Sequence, residues 1–430
     1  MSASPRQRRA LLRLSLAALI LILLGCSAPA IAPAPAPVET RSARDSSRLG
    51  LVRATVDALL KAASTGDRAR FDRLISDQDP AFPDRAQLLY DNLSTLPLTR
   101  LQMRMEPTEF VLSDARRQLL GPSAWVQRGV VTWRLAGDGA EVEHVVWLTF
   151  LEAAGEVKVA GTVDEPTGTV DEPTGSVGEQ KPSWWLGPLD ARELDGVTLL
   201  AGTGQSLDRW VKLAGAALVN VRQGLPDGLG LSWNRRVVIE VPANERDFAS
   251  VLGKPGGSYA SIAAVTHRAA GGEAIRIVVN PKTAQLTPSA VQSVLEHEMV
   301  HIATRSPDSS APTWAEEGLA EWVSIQAHPG QRSEAADEVL ARVRDDGAPS
   351  SFPSDRQFQV GARDLQRAYA EAWLACRFIA DQYSQARLGR FYAELARGSS
   401  VDEASRSTLQ LSEAELTAGW RAYLVRLAQY

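Results

Sequence analysis

Apolar residues change their spacing several times along the chain, and each change marks an element. Leu51, Val52, Val56, Leu59 and Leu60, then Phe71, Leu74 and Ile75, fall at helical spacing on either side of a break at Thr65-Gly66-Asp67. Trp125 to Leu135 and Val142 to Leu151 have the β-branched and aromatic character of strands, joined by the turn Ala136-Gly137-Asp138-Gly139. A third strand follows around Val157–Val159. Helices first and an antiparallel sheet afterwards predict an α+β unit over residues 49–161.

The pattern restarts near Trp184. Val197–Ala201 reads as a strand, and Leu207, Trp210, Val211, Ala214, Leu218 and Val221 mark one face of a helix. Val237–Val241 and Ile275–Val279 are short apolar strands, closed by Pro242 and by Asn280-Pro281. A helix is predicted from about Ser289 to Ala303. Beyond Pro312 the chain is helical, with periodic stretches around 334–344, 363–384, 387–397 and 412–428.

Between the two parts lies a duplication, Thr162–Gly168 followed by the same seven residues at Thr169–Gly175. Its Pro, Gly, Asp and Glu cannot bury a core, so residues 162–183 read as a solvated linker. Its acidic pairs fit that spacer better than a calcium site.

The N-terminus adds an address. Arg6, Arg8, Arg9 and Arg13 precede the apolar run Leu14–Leu24, which closes on Gly25-Cys26. The run is short of the roughly 20 residues a membrane span requires. Residues 1–26 resemble a bacterial lipoprotein signal with its lipobox, which implies cleavage, lipidation at Cys26 and an extracytoplasmic, membrane-anchored protein; an uncleaved anchor is the alternative. The Pro/Ala run from Ser27 to Pro37 opens an extended tether, drawn over residues 27–48. With Cys26 acylated, Cys376 is the single remaining thiol, and its apolar helical setting marks it as a core residue.

Composition excludes rather than identifies. Net charge is −5 with both signs scattered, and no basic stripe or aromatic ladder points to nucleic acid.

The chemistry is concentrated at His297-Glu298-Met299-Val300-His301, in a chain with five histidines. On a helix, i and i+4 share a face, so both imidazoles reach one ion. Glu298 stands beside them, placed to take a proton from an activated water. The segment Val291, Val294, Leu295, Val300 and Ile302 sets the motif on a buried scaffold. A polar turn, Ser306–Ser310, leads to a second helix, Pro312–Trp322, carrying Glu316 and Glu317. Two imidazoles and one carboxylate form the ligand set of a catalytic zinc ion, leaving one position open.

His-Glu-x-x-His followed by Trp-x-x-Glu-Gly-Leu-Ala resembles the gluzincin clan of zinc metallopeptidases, including its aminopeptidases and the peptidase MA-like family. The resemblance covers residues 184–430 and implies a zincin-type domain: a small mixed sheet, the motif helix and a helical C-terminal part. It selects Glu317 over Glu316 as the third zinc ligand beside His297 and His301, and makes Glu298 the general base. It implies that Glu321 orients a zinc-bound histidine and that Tyr369 stabilises an oxyanion, with Tyr383 as the competing tyrosine. It also places the last strand before the motif helix, Ile275–Val279, at the edge of the cleft, where an extended peptide pairs with it. No Gly-x-Met-Glu-Asn segment is present to grip a free amino terminus, so the resemblance leaves endopeptidase and exopeptidase action both open. His267 and His328 have no partners at ligand spacing.

Val56 to Phe71 resembles the opening helices of NTF2-like domains, which implies a cone-shaped α+β fold for residues 49–161. The resulting expectation is a membrane-anchored zinc peptidase acting on a peptide or protein. The alternative is a non-enzymatic envelope lipoprotein that uses the zincin fold or the NTF2-like domain for binding or scaffolding.

Overall fold

The apolar stripe of the first helix becomes one wall of a helix-on-sheet core. A computed structural model describes residues 40–162, 180–230, 232–253, 262–269, 271–328 and 331–429. Residues 1–26 with Cys26, expected as a signal segment, the Pro/Ala run and nearly all of the repeat lie outside the described residues.

Helix α1 (Thr40–Thr65) buries Val52, Val56, Leu60 and Ala63. It begins inside the segment drawn as tether, because no proline follows Pro37 to stop it. Helix α2 (Arg68–Arg73) is capped by the Asp67 side chain, which accepts from Arg70 N, and α3 (Phe82–Thr95) carries Pro83 in its first turn. Then come β1 (Leu98–Phe110), α4 (Asp114–Leu120), β2 (Ala124–Leu135), β3 (Val142–Ala153) and β4 (Glu156–Gly161). The four strands pair antiparallel in chain order. Val56, Phe71, Tyr90, Met105, Trp133 and Phe150 meet between the helices and this sheet.

The second sheet follows a short helix, α5 (Ser183–Leu186). Its strands are β5 (Leu189–Leu194), β6 (Val197–Gly202), β7 (Val237–Val241), β8 (Ala264–Arg268) and β9 (Ile275–Val279). Helix α6 (Leu207–Gly224) joins β6 to β7, and α7 (Glu245–Val251) follows β7. The spatial order is β5-β6-β7-β9-β8, with a parallel centre and antiparallel outer strands. The sheet is therefore mixed, and the fold combines α and β elements in two separate sheets.

One expectation is corrected here. Ile275–Val279 is not an edge: it pairs with β7 on one side and β8 on the other. Ile275, Ile277, Val278 and Val279, with Arg276 buried among them, need cover on both faces, as strands at the parallel centre of a sheet do. Among the described residues the edge strands are β5 and β8, and β8 is the one beside β9.

The two faces of this sheet divide by the strand period of two. Leu199, Ile239, Ile277 and Val279 face the helical side, whereas Leu200 and Val238 join the core of the first sheet. Trp184, Ala269 and Ala274 join that same core, and Thr198 Oγ1 donates to the carbonyl of Ala136. The repeat is thus no boundary in the packing: residues 45–430 form one compact unit.

On the helical side, α8 (Pro288–Thr304) starts at Thr287, whose side chain accepts from Ala290 N, with Pro288 in the first turn. Then follow α9 (Thr313–Gln326), α10 (Gln331–Asp346), α11 (Leu365–Tyr383), α12 (Gln385–Ala396), α13 (Val401–Leu409) and α14 (Glu413–Leu427). Ser400 with Glu403 and Ser412 with Glu415 form capping boxes that start the last two. Leu218, Leu295, Leu319, Trp373 and Trp420 belong to one core that holds α6, α8, α9, α11 and α14 together.

Candidate metal centre

Helix α8 is held by what surrounds its two histidines. Val291, Leu295, Met299 and Val300 are fully buried, and this leaves the His297–His301 face turned toward α9. Helix α9 is fixed in the same way by Trp314, Leu319, Ala320 and Val323. At Gly318 it meets α11 backbone to backbone: a Cβ placed there would lie 2.4 Å from the carbonyl oxygen of Ala372 and 2.9 Å from Cys376 Sγ. Only glycine allows this approach, and Glu317 is the residue before it.

Three side chains converge as a result. His297 Nε2 lies 3.1 Å from His301 Nε2 and 3.0 Å from Glu317 Oε2. His301 Nε2 lies 3.5 Å from the same oxygen, and ligating atoms of all three residues fall within 4.8 Å of one another. Glu317, not Glu316, faces the histidines. Glu316 is half-buried beside the Ser306–Asp308 turn, where desolvation raises its pKa.

Behind the triad, Glu321 Oε1 lies 3.2 Å from His297 Nδ1, one helical turn beyond Glu317. Burial disfavours an imidazolium at His297, but hydrogen bonds to Glu317 and Glu321 overcome it and raise the pKa well above the usual value. His301 is raised too, with burial outweighed by the charge and hydrogen bond of Glu317. Burial alone would raise Glu317; the charge of His301 and the hydrogen bond from His297 instead hold its pKa far below the carboxylate range. Two imidazoles thus stand among the carboxylates of Glu298, Glu317 and Glu321, which favours positive charge at the centre of the group. Two imidazoles and one carboxylate suit zinc, and they leave the ion net positive.

Of the triad, His297 opens on a cleft of about 290 Å³, lined also by Glu298, Glu321, Tyr369, Phe358 and Ala264, among others. The Tyr369 ring centroid is 6.1 Å from that of His297. Desolvation, followed by the charges of Glu317 and Glu298, raises the Tyr369 phenol well above its ordinary value, so it stays a donor. Tyr383 is at the far end of α11, about 20 Å along the axis, and packs on Phe378. Cys376 is buried within α11, and desolvation pushes its thiol up. Cys26 lies outside the described residues.

Strand β8 borders this cleft. Asn280 N donates to Ala263 O and Ala269 N to Ala274 O, and bonded pairs alternate along an antiparallel ladder. Val265 and His267 therefore turn their main-chain groups to β9, whereas Ala264 and Thr266 turn theirs away from the sheet. The Thr266 hydroxyl donates to Glu298 Oε2 at 2.6 Å.

Sequence reasoning missed Thr266 and the support of Glu296. Glu296 is fully buried and accepts from Asn220 Nδ2 at 2.7 Å and Gln292 Nε2 at 3.0 Å, with His328 Nε2 at 2.9 Å. His328 therefore has a carboxylate partner and ties the end of α9 to α8. No spacing rule links residues 296 and 328, so only a buried carboxylate next to the motif hinted at it.

No family model matches the chain, and no curated protein or solved structure matches it.

Proposed function

We propose that the protein is a zinc-dependent peptidase of gluzincin type, tethered outside the cytoplasm by a lipid on Cys26. One observation carries the reading: His297, His301 and Glu317 converge, and His297 lines one cleft with Glu298 and Tyr369, beside β8, an edge strand among the described residues. The five-stranded mixed sheet, the motif helix and the helices after it support a zincin-type domain. The order of helices before a four-stranded antiparallel sheet supports an NTF2-like reading of the first part.

His297, His301 and Glu317 would hold the ion. Zinc, when bound, acidifies a water and polarises a carbonyl. Glu298, on the cleft side of α8, takes the proton from that water and returns it to the leaving nitrogen. Tyr369, kept as a neutral phenol, donates a hydrogen bond to the oxygen on which charge develops. Glu321 holds His297 through Nδ1, so that Nε2 would be the nitrogen left to hold an ion. Ala264 and Thr266 offer main-chain groups for an extended peptide to pair with. Among the described residues no helix is long and apolar enough to cross a membrane.

The test is zinc content together with cleavage of casein and a peptide library. Glu298→Gln should keep zinc and lose turnover, whereas Glu317→Ala should lose zinc. A wild-type protein that holds zinc and cleaves no peptide would defeat the enzymatic reading and favour the envelope scaffold.

A further inference from the structure

We propose that Thr266 is the positioning residue for Glu298 and couples the seating of substrate to the placing of the base. The inference rests on the peptidase reading above.

Thr266 Oγ1 lies 2.6 Å from Glu298 Oε2 and 3.1 Å from the main-chain oxygen of the same residue. A threonine hydroxyl has one hydrogen, and here two acceptors on one residue compete for it. The bond to the carboxylate is charge-assisted and the stronger of the two. It selects one orientation of a side chain that otherwise samples many. When the carboxylate turns to pass its proton on, the hydroxyl keeps the main-chain acceptor and is never left unpaired. The threonine can therefore hold the base and release it without an orphaned donor.

The same residue occupies a decisive place on β8. In the ladder register Thr266 pairs with Ile277 but turns its main-chain N–H and C=O away from β9, toward the side on which no strand pairs among the described residues. Its side chain leaves the sheet toward α8. A peptide strand that pairs with this edge thus takes its register from the residue that fixes the carboxylate. Substrate backbone and general base are aligned through one Cα. Methyl and hydroxyl on a β-branched carbon also restrict the Thr266 rotamer, which keeps the donor aimed.

The experiment compares zinc-loaded wild type with Thr266→Val and Thr266→Ser on a peptide that wild type cleaves, with Glu298→Gln as the inactive reference. Valine should lower kcat by about 10–100-fold, with KM within about twofold. Zinc stoichiometry and melting midpoint should stay at wild-type values, and serine should recover most of kcat. Wild-type kcat in the valine variant, or a serine variant as impaired as valine, overturns the proposal. A second measurement reads the contact without turnover: crystal structures of wild type and Thr266→Val. The proposal requires one Glu298 carboxylate position in wild type and a displaced or divided one in the variant; identical positions sink it. Absence of any peptide cleavage by wild type would count against the peptidase reading alone, since the crystallographic comparison still decides the contact.

Discussion

Arg276 on β9 closes a two-pronged ion pair on Asp138, with Nε 2.9 Å from Oδ1 and Nη2 2.7 Å from Oδ2. Asp138 lies in the β2–β3 turn of the other sheet, and both side chains are essentially excluded from solvent. Glu240 accepts from the same guanidinium at 2.9 Å, and Ser183 donates to Glu240 in turn. The sheet beside the metal centre is therefore locked to the first sheet by charge as well as by a shared core. Asp138→Ala leaves a buried guanidinium short of a partner, and urea unfolding should show a loss of about 3 kcal/mol. A change below about 0.5 kcal/mol would mean that water or Glu240 alone suffices.

Gly318 sets how closely α9 approaches α11, and so where Glu317 stands. Gly318→Ala should push the helices apart, cost about 1–3 kcal/mol and weaken zinc binding although no ligand is changed. Calorimetric melting and zinc titration of the one variant check both halves.

Glu321 touches no ion but holds the far nitrogen of His297. Glu321→Ala is expected to lower zinc affinity about 10–100-fold, read by competition with a chromophoric chelator. Unchanged affinity would reduce Glu321 to a solvated helix carboxylate.

Tyr369→Phe removes one hydroxyl from the cleft wall. Steady-state kinetics should show kcat down by about 10²–10³-fold, with zinc content intact. Tyr383→Phe should leave kcat alone, because that ring packs on Phe378.

His144, buried in β3, gives the fold a pH dependence. Burial first, and the charge of Lys181 second, lower its pKa from 6.5 to about 4. The unfolded chain takes up a proton that the folded chain refuses, so this contribution is complete above pH 6.5. It is lost as the pH falls toward 4, at about 1.4 kcal/mol per unit and about 3 kcal/mol in all. Urea midpoints between pH 7 and 4 should show a shallower decline in His144→Gln than in wild type.

The helices that carry the site were legible because their periodicity and chemistry coincide: His297 and His301 sit one turn apart among buried Leu295, Met299 and Val300. The edge of the sheet was not. Ala264-Val-Thr-His-Arg268 is five half-buried residues of mixed character, and nothing in it competes with the apolar run Ile275–Val279. Yet its four apolar residues are covered on both faces, and its one charge, Arg276, is paired in the interior, which suits an inner strand. Likewise the composition of the repeat suggested a division between domains, while Leu200 and Val238 needed the first sheet to cover them.

By itself the sequence determined which helices form and which residues could chelate, since both depend on neighbours within a turn. It also carried the glycine that lets Glu317 come close. The resemblance already selected Glu317 over Glu316, and the tertiary structure brings Glu317 to the histidines; only the tertiary structure decided that β8 borders the cleft and that Thr266 holds Glu298. These are contacts between residues 16 or more positions apart in the chain, and burial and backbone approach select them, which no local spacing encodes.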